Sequence, residues 1–220
     1  MDPARNPETP PRIPRLVLFD LGNVLISLRP VREVFSLPPR SGPDPDPIDR
    51  RIASFLRSEI VERFEEGRAS PEEFFAAMRR ALGADVPDPP IEERFRSILG
   101  AEVPGMRELL RELKRSGVRV AGLSDTNPVH LETLRRYPIV GELETVVASS
   151  EIGHRKPSRE AYEAALERLE VRAEDVFYTD DLLQNVEGAW RAGIRAVVFG
   201  GAAALRRALG LPPASRPAGL

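Results

Sequence analysis

Four separate stretches of this sequence run apolar and then lead into a group able to do chemistry, and that repetition constrains the fold more than any other feature. Leu16-Val17-Leu18-Phe19 stops at Asp20 and continues as Leu21-Gly22-Asn23-Val24-Leu25. Val118 to Leu123 ends in Ser124, Thr145 to Ala148 leads on to Lys156, and Val176-Phe177-Tyr178 ends in Asp180-Asp181. Short, near-continuous apolar runs of this kind are how parallel strands read when both of their faces are buried. Each polar residue alone has an ordinary explanation. An Asp or Ser after a strand commonly forms a turn or caps a helix, and an isolated Lys is usually solvated. Open parallel sheets, however, bind ligands beyond the carboxyl ends of their strands, and these residues fall at or just after those ends.

In chain order, residues 1–15 carry five prolines and few apolar side chains, which predicts a loose leader. The core begins at Leu16, and strand character is lost after Leu25. The run from Pro39 to Pro47 is too proline-rich for a helix or a central strand and reads as a linker or lid loop. Helical periodicity then takes over. Ile52, Phe55, Leu56, Ile60 and Phe64 suit one apolar face closed by Gly67. Ser70-Pro71-Glu72-Glu73 reads as a capping box opening a helix that stops at Gly83, and a further run covers Ile91 to Leu99. No strand is expected among these helices.

Strand and helix alternate again after Val103. A helix lined by Met106, Leu109, Leu110 and Leu113 ends at Gly117, ahead of the Val118 strand. Another follows around 128–136. Pro157 and Ser158 open a third, with Tyr162, Ala165, Leu166 and Leu169 inward, and a fourth runs through Trp190 to a break at Gly193. Ile194 to Phe199 is the last strand. The expected architecture is an α/β, doubly wound, parallel five-stranded sheet of Rossmann-like type with an inserted all-helical cap. Its parts are a leader (1–15), a core (16–27 and 101–210), the cap (28–100) and a flexible tail (211–220).

The chain has 220 residues, 32 basic and 34 acidic, for a net charge of −2. That balance leaves no electrostatic footprint for nucleic acid and no polybasic patch for a membrane, so a small-molecule partner is expected. No run reaches the roughly eighteen apolar residues of a membrane span, and the N-terminus does not read as a signal peptide, which makes the cytoplasm the expected compartment. The absence of cysteine excludes disulfides and thiol chemistry, and two histidines, His130 and His154, are too few for a histidine-rich metal site. A bound metal would be a hard cation on oxygen ligands.

Phe19-Asp20-Leu21-Gly22-Asn23-Val24-Leu25, Leu123-Ser124-Asp125-Thr126-Asn127, Arg155-Lys156-Pro157, and Tyr178-Thr179-Asp180-Asp181 through Asn185-Val186-Glu187-Gly188-Ala189 together resemble the four ordered motifs of the haloacid dehalogenase-like hydrolase superfamily, in its helical-cap subclass. The resemblance spans residues 16 to about 200. It implies Asp20 as the nucleophile of a phosphatase forming an aspartyl-phosphate, with Lys156 pairing it. It implies Mg²⁺ held by Asp20, the Gly22 carbonyl and Asp181, with Asp180 a ligand or a partner behind the ligands. Ser124, Asp125, Asn127 and Asn185 would lie at the phosphate or substrate. Members with the Asp-Leu-Gly-Asn-Val form point to a small phosphorylated metabolite such as a sugar phosphate.

Two residues depart from the family pattern. Gly22 stands where most phosphatases of the family carry an Asp that protonates the leaving group, and glycine cannot transfer a proton. His154 is a candidate substitute, and easily expelled leaving groups are expected to be preferred. Asp125 stands where many relatives have Asn. Three readings follow: a Mg²⁺-dependent phosphatase, a metal-free 2-haloacid dehalogenase, or a non-catalytic phosphometabolite-binding or regulatory protein. Phe64, Glu65 and Phe74 are the cap residues considered for facing the site, with burial inside the cap expected for the aromatics.

Overall fold

The computed structural model describes residues 14–35, 47–82 and 91–213. Nearly all of the expected leader lies outside them, as do residues 39–46 of the proline-rich run, the helix stop at Gly83 and most of the tail. The elements begin with β1 (Leu16–Phe19), β2 (Ile26–Leu28), α1 (Val31–Val34), α2 (Pro47–Leu56), α3 (Glu59–Glu65), α4 (Pro71–Leu82), α5 (Ile91–Arg96) and β3 (Leu99–Glu102). They continue with α6 (Met106–Arg115), β4 (Arg119–Ser124), α7 (Pro128–Leu134), β5 (Val146–Ala148), α8 (Ser149–Ile152), α9 (Arg159–Arg168), β6 (Val176–Asp180), α10 (Leu183–Arg191), β7 (Arg195–Val198) and α11 (Ala202–Ala208).

The main sheet has the order β5-β4-β1-β6-β7, and every pair in it is parallel. β1 is apolar throughout because it is central and buried on both sides. Val17 and Phe19 join the core formed with α6 and α11, whereas Leu16 and Leu18 join the opposite core with Tyr162 and Tyr178. Phe19 is level with Gly122 of β4 and with Thr179 of β6, so Asp20 leaves the sheet between the ends of its two neighbours. The chain crosses from β1 to either side at this point, which is where a doubly wound sheet opens its crevice.

The helical insertion has its own core, in which Phe74 contacts Phe55, Phe64, Phe75 and Phe95 at ring-centroid distances of 4.2–5.6 Å. The capping box forms as expected: the Ser70 amide donates to Glu73 at 2.8 Å and the Glu73 amide donates to Ser70 Oγ at 3.2 Å. Among the described residues no helix is long and apolar enough to cross a membrane.

Two expectations need correction. The insertion is bracketed by strands, for β2 pairs antiparallel with β3, Ile26 opposite Glu102 and Leu28 opposite Leu99. Three residues are too few for a legible alternation, and the partner strand comes from the far end of the insertion, so the local pattern is silent about it. The expected single helical face from Ile52 to Phe64 is instead divided between α2 and α3. Ser58 leaves the helical region and turns its hydroxyl onto the Phe55 carbonyl, which releases Leu56 to a half-exposed position.

Candidate active site

Asp20 follows β1 directly, and its amide donates to the Thr179 carbonyl at 2.9 Å. The turn after it is set by Asn23, whose φ of 54° lies in the left-handed region that asparagine tolerates. The Asn23 side chain donates from Nδ2 to Asp181 Oδ2 at 3.0 Å and accepts at Oδ1 from the Leu28 backbone amide at 3.1 Å, tying this turn both to the fourth motif and to β2. Lys156 arrives from the loop before α9 and is buried. Its ammonium donates to Asp20 Oδ1 at 2.7 Å, Asp180 Oδ2 at 2.8 Å and the Leu123 carbonyl at 3.2 Å, which uses all three of its protons. Gly188 of α10 makes the approach possible, since a Cβ there would lie 2.9 Å from the Pro157 carbonyl and from Tyr162.

Asp180 is fully buried. Oδ2 accepts from Lys156, from the Tyr178 hydroxyl and from Asn185 Nδ2 at 3.0 Å, while Oδ1 accepts from the Leu182 amide at 2.9 Å and Asn185 Nδ2 at 3.1 Å. With both oxygens occupied, Asp180 suits a place behind the ligands better than coordination. Asp181 does not cap α10; the Leu182 amide goes to Asp180 instead. One carboxylate oxygen from each of Asp20, Asp180 and Asp181 lies within 4.8 Å of the others, and Asp20 and Asp181 are the hard-oxygen donors there that suit Mg²⁺. One ammonium cannot balance three carboxylates. Burial and the Asp180 charge, against the pull of Lys156, push Asp20 up to about 7. Asp180 is held below the usual carboxylate range despite its burial, because Lys156 and the hydrogen bonds to its oxygens favour its charged form.

These groups form one end of a cavity of about 410 Å³. Ser124, Asp125, Asn127 and Asn185 line it, as does Gly22, so the structure brings every candidate except Asp180 to one wall. Two of them carry other duties. Asn127 caps α7 by accepting from the His130 amide at 2.9 Å, and Asn185 spends its NH₂ on Asp180 while its Oδ1 is buried without a partner. Asp125 Oδ1 accepts from the Lys156 amide at 3.0 Å, and burial raises its pKa.

His154 is exposed and lies outside the cavity lining, so the structure does not put a proton donor there. Two other titratable groups do line it. His130 is stacked on Phe95 and half-way to buried, with Nε2 2.9 Å from the Phe95 carbonyl; burial brings it down to about 4, which keeps the ring neutral. Its place three residues after a capping Asn was the only signal of it in the sequence. Glu65, at the end of α3, faces Arg155 at 3.0 Å, and burial pushes it up to about 7.

A haloacid dehalogenase-like hydrolase model matches residues 14–193. The chain belongs to the haloacid dehalogenase-like hydrolase family. Among curated relatives of this hydrolase, a sesquiterpene phosphatase of Aspergillus oryzae is 29% identical over 82% of this chain and 87% of its own length. A phosphatase of Mycobacterium tuberculosis is 29% identical over 82% and 84%. The match to CbbY of Cereibacter sphaeroides, at 31%, covers about half of each chain, 50% and 51%. Among solved structures, an enzyme of the family from Bacteroides thetaiotaomicron in complex with magnesium and inorganic phosphate is 26% identical and superposes with a TM-score of 0.69 over 84% of this chain and 94% of that one.

Proposed function

We propose that this hydrolase is a Mg²⁺-dependent phosphatase acting on a small phosphorylated metabolite, with Asp20 as the nucleophile. The observation that carries the reading is the cluster at the end of β1, where Asp20 and Lys156 meet the acidic pair, with Asp20, Lys156 and Asp181 in the cavity wall and Asp180 buried behind them. An Asp20 oxygen attacks phosphorus and the ester P–O bond breaks, the bonding pair leaving on the alkoxide or phenoxide oxygen, which takes its proton from water. Water then attacks the aspartyl-phosphate, releasing phosphate and restoring the carboxylate. Lys156 holds Asp20 in position and charged. Asp20, Asp181 and the Gly22 carbonyl would hold Mg²⁺, which supplies positive charge to offset that of the phosphoryl oxygens. Asp180, fixed by Tyr178 and Asn185, orients Lys156, and Ser124 offers its hydroxyl to the phosphoryl group. The helical insertion acts as the cap that keeps bulk water from the site.

The phosphatase names of the Aspergillus and Mycobacterium relatives and the magnesium and phosphate of the Bacteroides structure support this reading. An acidic cluster with an excess of negative charge is poorly suited to expelling halide without metal, which disfavours the dehalogenase. Gly22 and Asp125 motivate the non-catalytic alternative.

Hydrolysis of an aryl phosphate, followed with Mg²⁺ and with EDTA, tests the reading. Native protein is expected to turn over only with the metal, and Asp20→Asn to lose about a thousandfold or more. Turnover retained by Asp20→Asn, or chloride release from a 2-haloacid in EDTA, would overturn it.

A further inference from the structure

The cavity is most polar at its catalytic end, and of the other polar side chains lining it Glu65 is paired with Arg155. Away from Asp20 and Lys156 its walls are mainly aliphatic and aromatic, among them Val31, Val61, Phe64, Phe74, Phe95 and Leu99. Polar side chains that could have served sugar hydroxyls are committed elsewhere. His130 is engaged at Phe95 and Asn127, and Asn23 is spent on Asp181 and Leu28. A polyol entering this space would give up water without recovering its hydrogen bonds, at a cost that such a site translates into rejection.

A second observation comes from the surface. Leu28, Leu56 and Leu182 are 44%, 52% and 48% exposed, and all three also line the cavity. They make up half of the large hydrophobic side chains left exposed among the described residues. Single exposed apolar residues are unremarkable, but three at one cavity gain a purpose if an apolar ligand covers them.

We propose that the substrate is a phosphomonoester of an apolar alcohol or phenol, its phosphate at Asp20 and its hydrocarbon part between the sheet edge and the insertion aromatics. The proposal rests on the phosphatase reading for its chemistry and on the cavity walls for its selectivity. It differs from the sugar phosphate expected from the sequence resemblance. The volume, about 410 Å³, lies toward the small end of the ~300–1,000 Å³ of ligand pockets, which suits a compact apolar group.

The test uses 4-alkylphenyl phosphates from methyl to butyl, whose leaving groups have nearly the same acidity, beside 4-(hydroxymethyl)phenyl phosphate and glucose 6-phosphate. With Mg²⁺, kcat/KM is expected to rise about two- to fourfold per added methylene until the cavity is filled. The hydroxymethyl ester should fall about tenfold or more below the ethyl ester. Leu56→Gln should lower the gain per methylene. Binding of the matching 4-alkylbenzylphosphonates to the native protein is measured in parallel by calorimetry. If aryl phosphates are hydrolysed with no dependence on chain length, or glucose 6-phosphate is preferred, the substrate class is wrong while the phosphatase reading stands. If nothing is hydrolysed but phosphonate affinity climbs with chain length, the phosphatase reading falls and the apolar ligand class survives. Flat affinity and flat rates overturn the proposal.

Discussion

On the sheet side of the cavity the charged groups are held by hydrogen bonds: Lys156 by three acceptors, Asp180 by donors on both oxygens, Asp181 by Asn23. On the insertion side the cavity meets mostly rings and aliphatic chains packed around Phe74, with Glu65 the charged exception. A charge left unbalanced in a buried network costs several kcal/mol, so the first wall admits little variation. Apolar walls accept substitutions that keep the volume, so the second can drift in shape without loss of the fold. On the proposed reading, reaction chemistry falls to the rigid wall and substrate choice to the adaptable one.

The largest expected effect attacks the rigid wall. Lys156→Met leaves Asp20 and Asp180 facing each other without their shared cation. Turnover of an aryl phosphate at saturating Mg²⁺ should drop by about a thousandfold. Stability should fall by about 3–5 kcal/mol, with the proton uptake that a buried carboxylate pair requires, visible as a variant less destabilised at pH 5 than at pH 8. A variant that unfolds at the same denaturant concentration as the native protein at both pH values would show that the trio is not the anchor of this wall.

Phe74→Ala asks how separate the two walls are. It removes the ring at the centre of the insertion core and should cost about 3–5 kcal/mol. Hydrogen exchange locates the loss. If the insertion opens by itself, amides of α3, α4 and α5 lose protection while those of β1 and β6 keep theirs. Equal loss in both would make the walls one cooperative unit and remove the basis for treating the insertion as an independent cap.

The same contrast explains what could be read from the sequence. Asp20, Ser124, Lys156 and Asp180/Asp181 were legible because each follows an apolar run whose burial fixes its direction, and because a parallel sheet gathers strand ends at one edge. The insertion was legible as helices, and Ser70-Pro71-Glu72-Glu73 as a cap. Of its cavity-facing residues, Phe64, Glu65 and Phe74 were considered from the sequence and all three line the cavity, whereas Val31, Val61 and Phe95 carried no such signal. Phe64 and Phe74 pack in the insertion core and also line the cavity, a double role that periodicity cannot separate. The β2–β3 ribbon was hidden because neither strand carries its own pattern, and the duties of Asn127 and Asn185 emerged only from their partners in space.

The smallest predicted effect concerns the contact between the two walls at the end of α3. Ser149 Oγ donates to the Glu65 carbonyl at 2.6 Å, and a Cβ at Gly67 would lie 2.2 Å from the Ser150 carbonyl, so the insertion sits tightly on α8. The Glu65 carboxyl is trapped in this junction with its side chain 23% exposed, facing the Arg155 cation and the acidic Asp125, Glu62 and Glu66. Burial raises its pKa from 4.5 to about 7. The unfolded chain therefore releases this proton at lower pH than the folded one, and between about pH 4.5 and 7 folding is linked to proton uptake. Stability contributed by this group is complete below pH 4.5 and lost as pH rises toward 7, by at most about 3 kcal/mol. Glutamine carries no charge at any pH. Relative to the native protein, Glu65→Gln should gain stability as pH rises, and the comparison cancels Asp20, which titrates in the same direction in both chains. Urea midpoints of the two proteins at pH 5 and pH 7.5 measure it. Midpoints that differ by the same amount at both pH values would mean that Arg155 keeps Glu65 ionised throughout, and that the junction is held by an ion pair instead of a protonated acid.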